Sequence, residues 1–199
     1  MSTIETERLV LRPFRESDAA DVLEYLSGPL PHCFASLKLD DLDGARAEMV
    51  QRGADTEYCF AIVLKKSGKV IGEIDADPST YVPPILHSKE TMPQPPPDTF
   101  SPSWILNTSY QGKGYAYEAV YAFFEYLFMK KGVHRIFAYV DDYNARSRHL
   151  CEKLGMRREG LFTEFVSFVK DAEGNPVFEN TFQYAILKQE WINRLNSKT

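Results

Sequence analysis

The stretch SYQGKGYAYEA, residues 109–119, sets two glycines and a lysine directly ahead of a run of helix-forming and apolar residues. Beyond it Ala116, Ala119, Val120, Phe123, Phe124, Leu127 and Phe128 recur at helical spacing. That pattern predicts a helix whose wide apolar stripe faces a core, each large side chain contributing about 1.5–3 kcal/mol on burial. Lys130, Lys131 and Gly132 mark its end. Upstream, FSPSWIL at 100–106 reads as a strand. The glycines therefore join a strand to the start of a strong helix, where unpaired N–H groups and the positive end of the helix dipole converge. Glycine lets a backbone approach an anion closely, and Lys113 adds charge. The pattern alone fits both a plain turn and a phosphate-gripping loop.

Two common phosphate loops do not fit. An ATP or GTP loop needs G-x-x-x-x-G-K-[ST], but Tyr115 follows Gly114. A dinucleotide fingerprint needs a third glycine where Tyr117 stands, and Asp141 lies well beyond the usual spacing of about 20 residues.

Working outward, RLVLRPF at 8–14 alternates like a first strand with Leu9 and Leu11 on one face. Asp18 is placed to cap a helix, with Asp21 three residues on and Gly28 and Pro29 as its stop. A second helix is predicted around DLDGARAEMVQRG, 41–53. YCFAIVL (58–64), the turn KKSGK (65–69) and VIGEIDA (70–76) form an antiparallel meander. Residues 78–102 hold eight of the twelve prolines, and because proline cannot donate to a ladder this segment reads as a long loop or flap. VHRIFAYV (133–140) is the next strand, and Asn144 caps a helix striped by Ser147, Leu150, Cys151 and Leu154 and closed by Gly155. Strand, helix, strand, helix implies a parallel βαβ crossover. TEFVSFV (163–169), a turn at 171–176, FENTFQYAIL (178–187) and an amphipathic tail with Trp191 and Leu195 complete the chain.

At 199 residues the chain suits one domain, 1–199, and 44% hydrophobic against 26% charged residues places it among folded proteins. A net charge of −5 without a basic block argues against a nucleic-acid partner and slightly favours a cationic one. There is no secretory leader pattern and no apolar run of about 18 residues, so a cytoplasmic protein without a membrane span is expected. Cys33, Cys59 and Cys151 are odd in number and far apart, which predicts reduced thiols and no metal site. His134 and His149 lack ligand spacing and are expected at the surface.

Gln111, Gly114 and Ala116 do satisfy the pattern Q/R-x-x-G-x-G/A. With TERLVLRPF (6–14), GKVIGEI (68–74), YQGKGYAYEA (110–119), NARSRHLCEKLGMRREG (144–160) and FQYAILKQEW (182–191), the chain resembles the GNAT superfamily of acetyl-CoA-dependent N-acetyltransferases, in particular its ribosomal-protein N-terminal (alanine/serine) acetyltransferase-like branch. The resemblance implies an α/β (α+β) fold with a mixed central sheet: an antiparallel N-terminal meander, a parallel βαβ crossover and flanking helices. It implies acetyl-CoA as cosubstrate, held at its pyrophosphate by amides of Gln111, Gly112, Lys113, Gly114, Tyr115 and Ala116. The pantetheine arm would run beside Ile105 and Leu106 and toward Asn144, and an amide near Leu106 or Asn107 would receive the oxyanion.

A thioester is electrophilic enough for direct attack by a neutral amine, so the tasks left are positioning and proton transfer. The family's frequent acid, a tyrosine before the EKLG segment, is replaced here by Cys151, which sits on an apolar stripe and reads as a packed thiol. In the ribosomal-protein branch an N-x-x-S serine and a later glutamate take part, and Asn144 with Ser147 matches the first half. Ser147 is thus the candidate partner of the coenzyme sulfur, or a member of the helix cap. Glu164 is the candidate base and Glu73 its competitor. The acceptor is a primary amine, either a protein N-terminus or a small amine such as a polyamine or aminoglycoside. A catalytically silent acyl-CoA-binding module and a nucleotide-binding protein are the rivals, and monomer and homodimer are both open.

Overall fold

The computed structural model describes residues 2–78 and 98–197. Eight strands form one sheet in the order β1-β2-β3-β4-β5-β6-β8-β7. They are β1 (Ile4–Glu5), β2 (Leu9–Arg12), β3 (Cys59–Leu64), β4 (Val70–Pro78), β5 (Thr99–Leu106), β6 (Arg135–Asp141), β7 (Arg157–Lys170) and β8 (Pro176–Leu187). Every pairing is antiparallel except β5 with β6. Among the described residues five α-helices flank the sheet: α1 (Ala19–Leu26), α2 (Leu42–Arg52), α3 (Tyr115–Met129), α4 (Ala145–Leu154) and α5 (Lys188–Asn196). The mixed sheet, with an antiparallel N-terminal meander, one parallel pair and flanking helices, is the architecture that the resemblance implies.

One face of the sheet carries the larger core. The stripe of α3 from Ala119 to Phe128 packs there against Leu9, Leu11, Phe60, Ile71 and Phe100, joined by Cys151 and Leu154 of α4 and by Trp191 of α5. The other face is covered by α1 and α2, where Val22, Leu26, Ala45 and Met49 meet Ala61, Val63, Val70 and Ile105. Successive strand residues point to opposite faces, so both faces of the central strands being apolar is why β3 reads as an uninterrupted apolar run.

Several expectations are corrected. Asp18 stands at the cap position of α1, but its carboxylate accepts from Arg12 (2.7 and 2.8 Å) and from the Arg15 amide, while Asp21 accepts from the Val70 amide and Lys69. Both carboxylates brace α1 to neighbouring segments, and no side-chain cap forms. The strand expected at 163–169 begins at Arg157. The proline-rich loop expected at 78–102 is shorter at both ends, since Pro78 lies in β4 and Thr99 to Pro102 lie in β5; the part from 79 to 97 falls outside the described residues. Pro102 is tolerated because its register partner Ala76 sends its amide to Tyr58 on the far side. The pair is therefore a non-hydrogen-bonded one, and the missing N–H of Pro102 falls on the β6 side.

On that side little pairing is lost. β5 and β6 are in register only at Thr99 with Arg135 and Phe100 with Ile136, and the two strands then part. The wedge that opens between them faces the start of α4 and holds the site described next.

Candidate active site

The loop between β5 and α3 has the geometry of an anion cradle. Gly112 and Gly114 take φ of 73° and 83°, the left-handed region that glycine enters without steric cost. Gly114 is the helix cap, and no side chain caps it. Among the described residues no acceptor takes the amides of residues 112–117, whereas the Gln111 amide is spent on the Thr108 carbonyl at 3.3 Å. Of the six amides expected to grip an anion, that of Gln111 is turned inward.

Side chains brace the loop from behind. Gln111 donates to the Leu106 carbonyl (3.1 Å) and accepts from Arg146 of α4. Arg8, which sequence reasoning did not single out, donates to the Lys113 carbonyl (3.0 Å), lies over the Tyr115 ring and pairs with Glu118. Burial works against the charge of Glu118, but hydrogen bonds from Thr6 and from the amide and guanidinium of Arg8 outweigh it and hold the carboxyl below its usual range. Lys113 folds back onto the Ser109 carbonyl at 2.9 Å. Arg8, Lys113 and Arg146 thus place positive charge around a set of open amides.

Asn107 is fully engaged within the protein. Its amide donates to Ile71 (2.8 Å), its side chain donates to Glu24 (2.9 Å) and accepts from Ser109 (3.0 Å), and its carbonyl accepts from Tyr110. Of the two amides expected to receive an oxyanion, that of Asn107 is thus spent within the protein, whereas strand alternation directs that of Leu106 into the wedge. The Ile105 side chain is buried under α1 and α2.

A cavity of about 190 Å³ occupies the wedge, walled by Trp104 of β5, Tyr139 of β6, Phe34, and Phe165 and Phe168 of β7. Asn144 and Ser147 line it from α4, where the Asn144 carboxamide caps the helix by accepting from the Ser147 amide at 3.1 Å. Glu164 is not among its lining residues. It sits in a bulge of β7 with φ of 47°, its amide held by the Asn180 side chain at 2.9 Å, and this bulge turns Phe165 and Val166 toward the cavity. Glu73 is buried under α2, accepting from Tyr25 (2.7 Å) and Arg52 (2.5 Å), and it does not line the cavity either. Cys151 lies in the core, and burial pushes its thiol up to about 12, which makes it inert as a nucleophile. His134 and His149 are exposed, and no group of potential metal ligands occurs among the described residues.

The sequence reading missed Asp75. It is the register partner of Ser103, which lines the cavity and hydrogen-bonds to it. Burial pushes the Asp75 carboxyl up to about 6, and nearby Glu73 adds to the effect. A raised folded-state value means the folded chain keeps a proton that the unfolded chain releases first. Stability from this group is thus fully present below about pH 4 and is lost as pH rises toward 6. Relative to wild type, Asp75→Asn is expected to gain about 2 kcal/mol between pH 4 and pH 7, read from urea midpoints. Parallel pH profiles for the two proteins would contradict this.

Comparison with known proteins gives the family. Residues 8–157 match the model of the acetyltransferase (GNAT) domain. The chain is 30% identical over 188 residues to the uncharacterized N-acetyltransferase YnaD of Bacillus subtilis (strain 168), covering 94% of this chain and 98% of that one. The crystal structure of a GNAT-family acetyltransferase from Bacillus anthracis superposes with a TM-score of 0.75 at 28% identity, covering 95% of this chain and all of that one. The ribosomal-protein-S5-alanine acetyltransferase of Vibrio fischeri superposes at 0.68 with 20% identity, covering 96% and 99%; at that identity it bears on the fold alone. The protein belongs to the GNAT N-acetyltransferase family and is an acetyl-CoA-dependent acyltransferase. No helix among the described residues is long and apolar enough to cross a membrane.

Proposed function

We propose that the protein transfers acetyl from acetyl-CoA directly to a primary amine through a ternary complex. The pyrophosphate is received by the amides of residues 112–117 and the pantetheine arm lies along the open edge of β5. The observation that carries this reading is the set of amides with no acceptor in the protein, at the N-terminus of a fifteen-residue helix and beside the wedge between β5 and β6. Unpaired backbone donors favour an anionic partner, and the wedge leads from them to Ser147.

In this reading the Leu106 amide stabilises the oxyanion and Ser147 donates a hydrogen bond to the departing sulfur. Glu73 is tied to Arg52, and Glu164 serves the β7 bulge, so the geometry favours neither as the base. Acetyl-CoA and CoA are expected to raise the melting temperature where ATP and NAD do not. Stabilisation by ATP alone would reject the reading. Thiol release should then appear with at least one member of a panel of small amines and N-terminal peptides; CoA binding with no turnover across the panel would favour a silent acyl-CoA-binding module.

Ser147→Ala is expected to lower kcat about 10–100-fold while CoA affinity stays within about twofold, the size of one charge-assisted hydrogen bond formed as the thiolate departs. Unchanged kcat would remove Ser147 from the chemistry and leave it a cap residue.

A further inference from the structure

We propose that Asp141 and Thr181 receive the acceptor as its ammonium, and that the acceptor is a small primary monoamine carried on an apolar or aromatic body. This rests on the acetyl-transfer reading above. Asp141 ends β6 and Thr181 is its register partner on β8, so the two stand side by side, and both line the cavity that Ser147 also lines. Thr181 is 3% exposed, and its hydroxyl has no hydrogen-bond partner among the described residues. Buried hydroxyls normally find partners, so this one, at a cavity wall, points to a ligand donor or acceptor.

Asp141 gives that ligand its sign. It is 6% exposed, and no lysine or arginine pairs with it among the described residues. Glu179, a second buried carboxylate, stands close by. The Tyr143 hydroxyl reaches both, Asp141 at 3.1 Å and Glu179 at 3.4 Å, but carries one hydrogen for the two. His32 sits on Glu179 at 2.5 Å, and Cys33 lines the same cavity as Asp141. Burial raises the Asp141 carboxyl above its usual range, and Glu179 raises it further. A cation in the cavity would meet the Asp141 carboxyl and an unpartnered hydroxyl, with Glu179 behind them held by His32. An ammonium, with three donors on one small centre, fits both Asp141 and Thr181.

The other walls set the rest of the ligand. Phe34, Trp104, Tyr139, Phe165 and Phe168 enclose about 190 Å³ of largely apolar space. A second ammonium or a peptide backbone would bring polar groups there without partners, whereas an aromatic ring or short alkyl body meets ring faces and edges. In the reaction the bound ammonium gives one proton to the Asp141 carboxylate. The amine lone pair then forms the C–N bond, the C–S bond breaks, the second nitrogen proton passes to the thiolate, and Asp141 later returns its proton to solvent.

The test uses the full chain with phenethylamine, spermidine and an alanine-initiated peptide as acceptors, together with CoA binding by calorimetry. Wild type is expected to prefer phenethylamine. Asp141→Asn should lower kcat/KM for phenethylamine about 100-fold, and Thr181→Val should raise its KM about 10-fold, with CoA affinity in both variants within about twofold of wild type. The proposal is overturned if either variant binds CoA normally and turns phenethylamine over within about threefold of wild type, or if spermidine or the peptide is the better acceptor. Should Asp141→Asn fail to melt cooperatively, the KM effect of Thr181→Val decides alone. A wild-type protein that does not bind CoA would instead reject the donor reading, and this proposal with it.

Discussion

Arg52→Leu is expected to destabilise the protein by about 3–5 kcal/mol, a large part of the 5–15 kcal/mol that holds a typical domain folded. Arg52 bonds Glu73 at 2.5 Å and Glu48 at 2.8 Å, and the Arg52 and Glu73 side chains are only 10% and 8% exposed. Tyr25 donates to the same Glu73 oxygen at 2.7 Å, and burial together with that charge pushes its hydroxyl well above its usual value. Desolvation opposes the charge on Arg52, but Glu73, Glu48 and Tyr25 outweigh it and raise its value. Removing the guanidinium would leave a carboxylate under α2 with one neutral donor, and that uncompensated charge is the source of the cost. Replacing both partners with apolar residues should recover much of the loss, since an ion pair so buried barely exceeds its own desolvation. Urea titrations of wild type, Arg52→Leu and the Arg52→Leu/Glu73→Leu double variant measure this. A single variant within 1 kcal/mol of wild type would show that Glu73 is not buried as a charge.

The second large effect is expected at Gly114. Its φ of 83° is costly for any residue with a Cβ and most costly for a β-branched one, and a Cβ built there lies 3.3 Å from the Arg8 guanidinium. Gly114→Val should therefore rotate the loop backbone out of the left-handed region and mis-aim the amides around it. Losing one charge-assisted hydrogen bond costs about 1.5–3 kcal/mol, so CoA affinity is expected to fall about 10–150-fold. Global stability should change far less, because the loop is exposed and α3 is anchored by its buried phenylalanines. Calorimetry with CoA against a thermal melt separates the two; equal CoA affinity in the variant would mean that the loop backbone does not grip the donor.

What was legible in the sequence follows the strength of each local signal. The α3 stripe is periodic over four turns and is bounded by glycines, so its span, its buried face and the loop before it could be read directly. Asn144 and Gly155 bracket α4 by cap chemistry that depends only on local residues. The parallel pairing of β5 and β6 follows from the crossover, but the point where the strands part does not, because it depends on Pro102 and on β8 pairing with the far edge of β6. Asp18 and Asp21 were misread because a carboxylate near a helix start can serve a cap or a neighbouring strand, and only the fold decides. The polar wall of the cavity was invisible for the same reason. Asp141 and Thr181 lie far apart in sequence and meet only through the register of β6 with β8, and Asp75 is tied to the cavity only through Ser103, its partner in the register of β4 with β5. That Glu164 stands at a bulge with a positive φ could not be foreseen, because a residue of its type seldom adopts that conformation.

Acetyl transfer in this reading requires the backbone amides of residues 112–117 to face the diphosphate of an acyl carrier. Two-dimensional ¹H–¹⁵N correlation spectra recorded while CoA is added test it at those atoms. The expected result is large downfield amide proton shifts in this loop and the first turn of α3, with smaller shifts along the open edge of β5, the former reproduced by adenosine 3′,5′-bisphosphate only in part because that fragment lacks the diphosphate. Saturable CoA binding that leaves these amides unmoved, with shifts elsewhere on the surface, would contradict it.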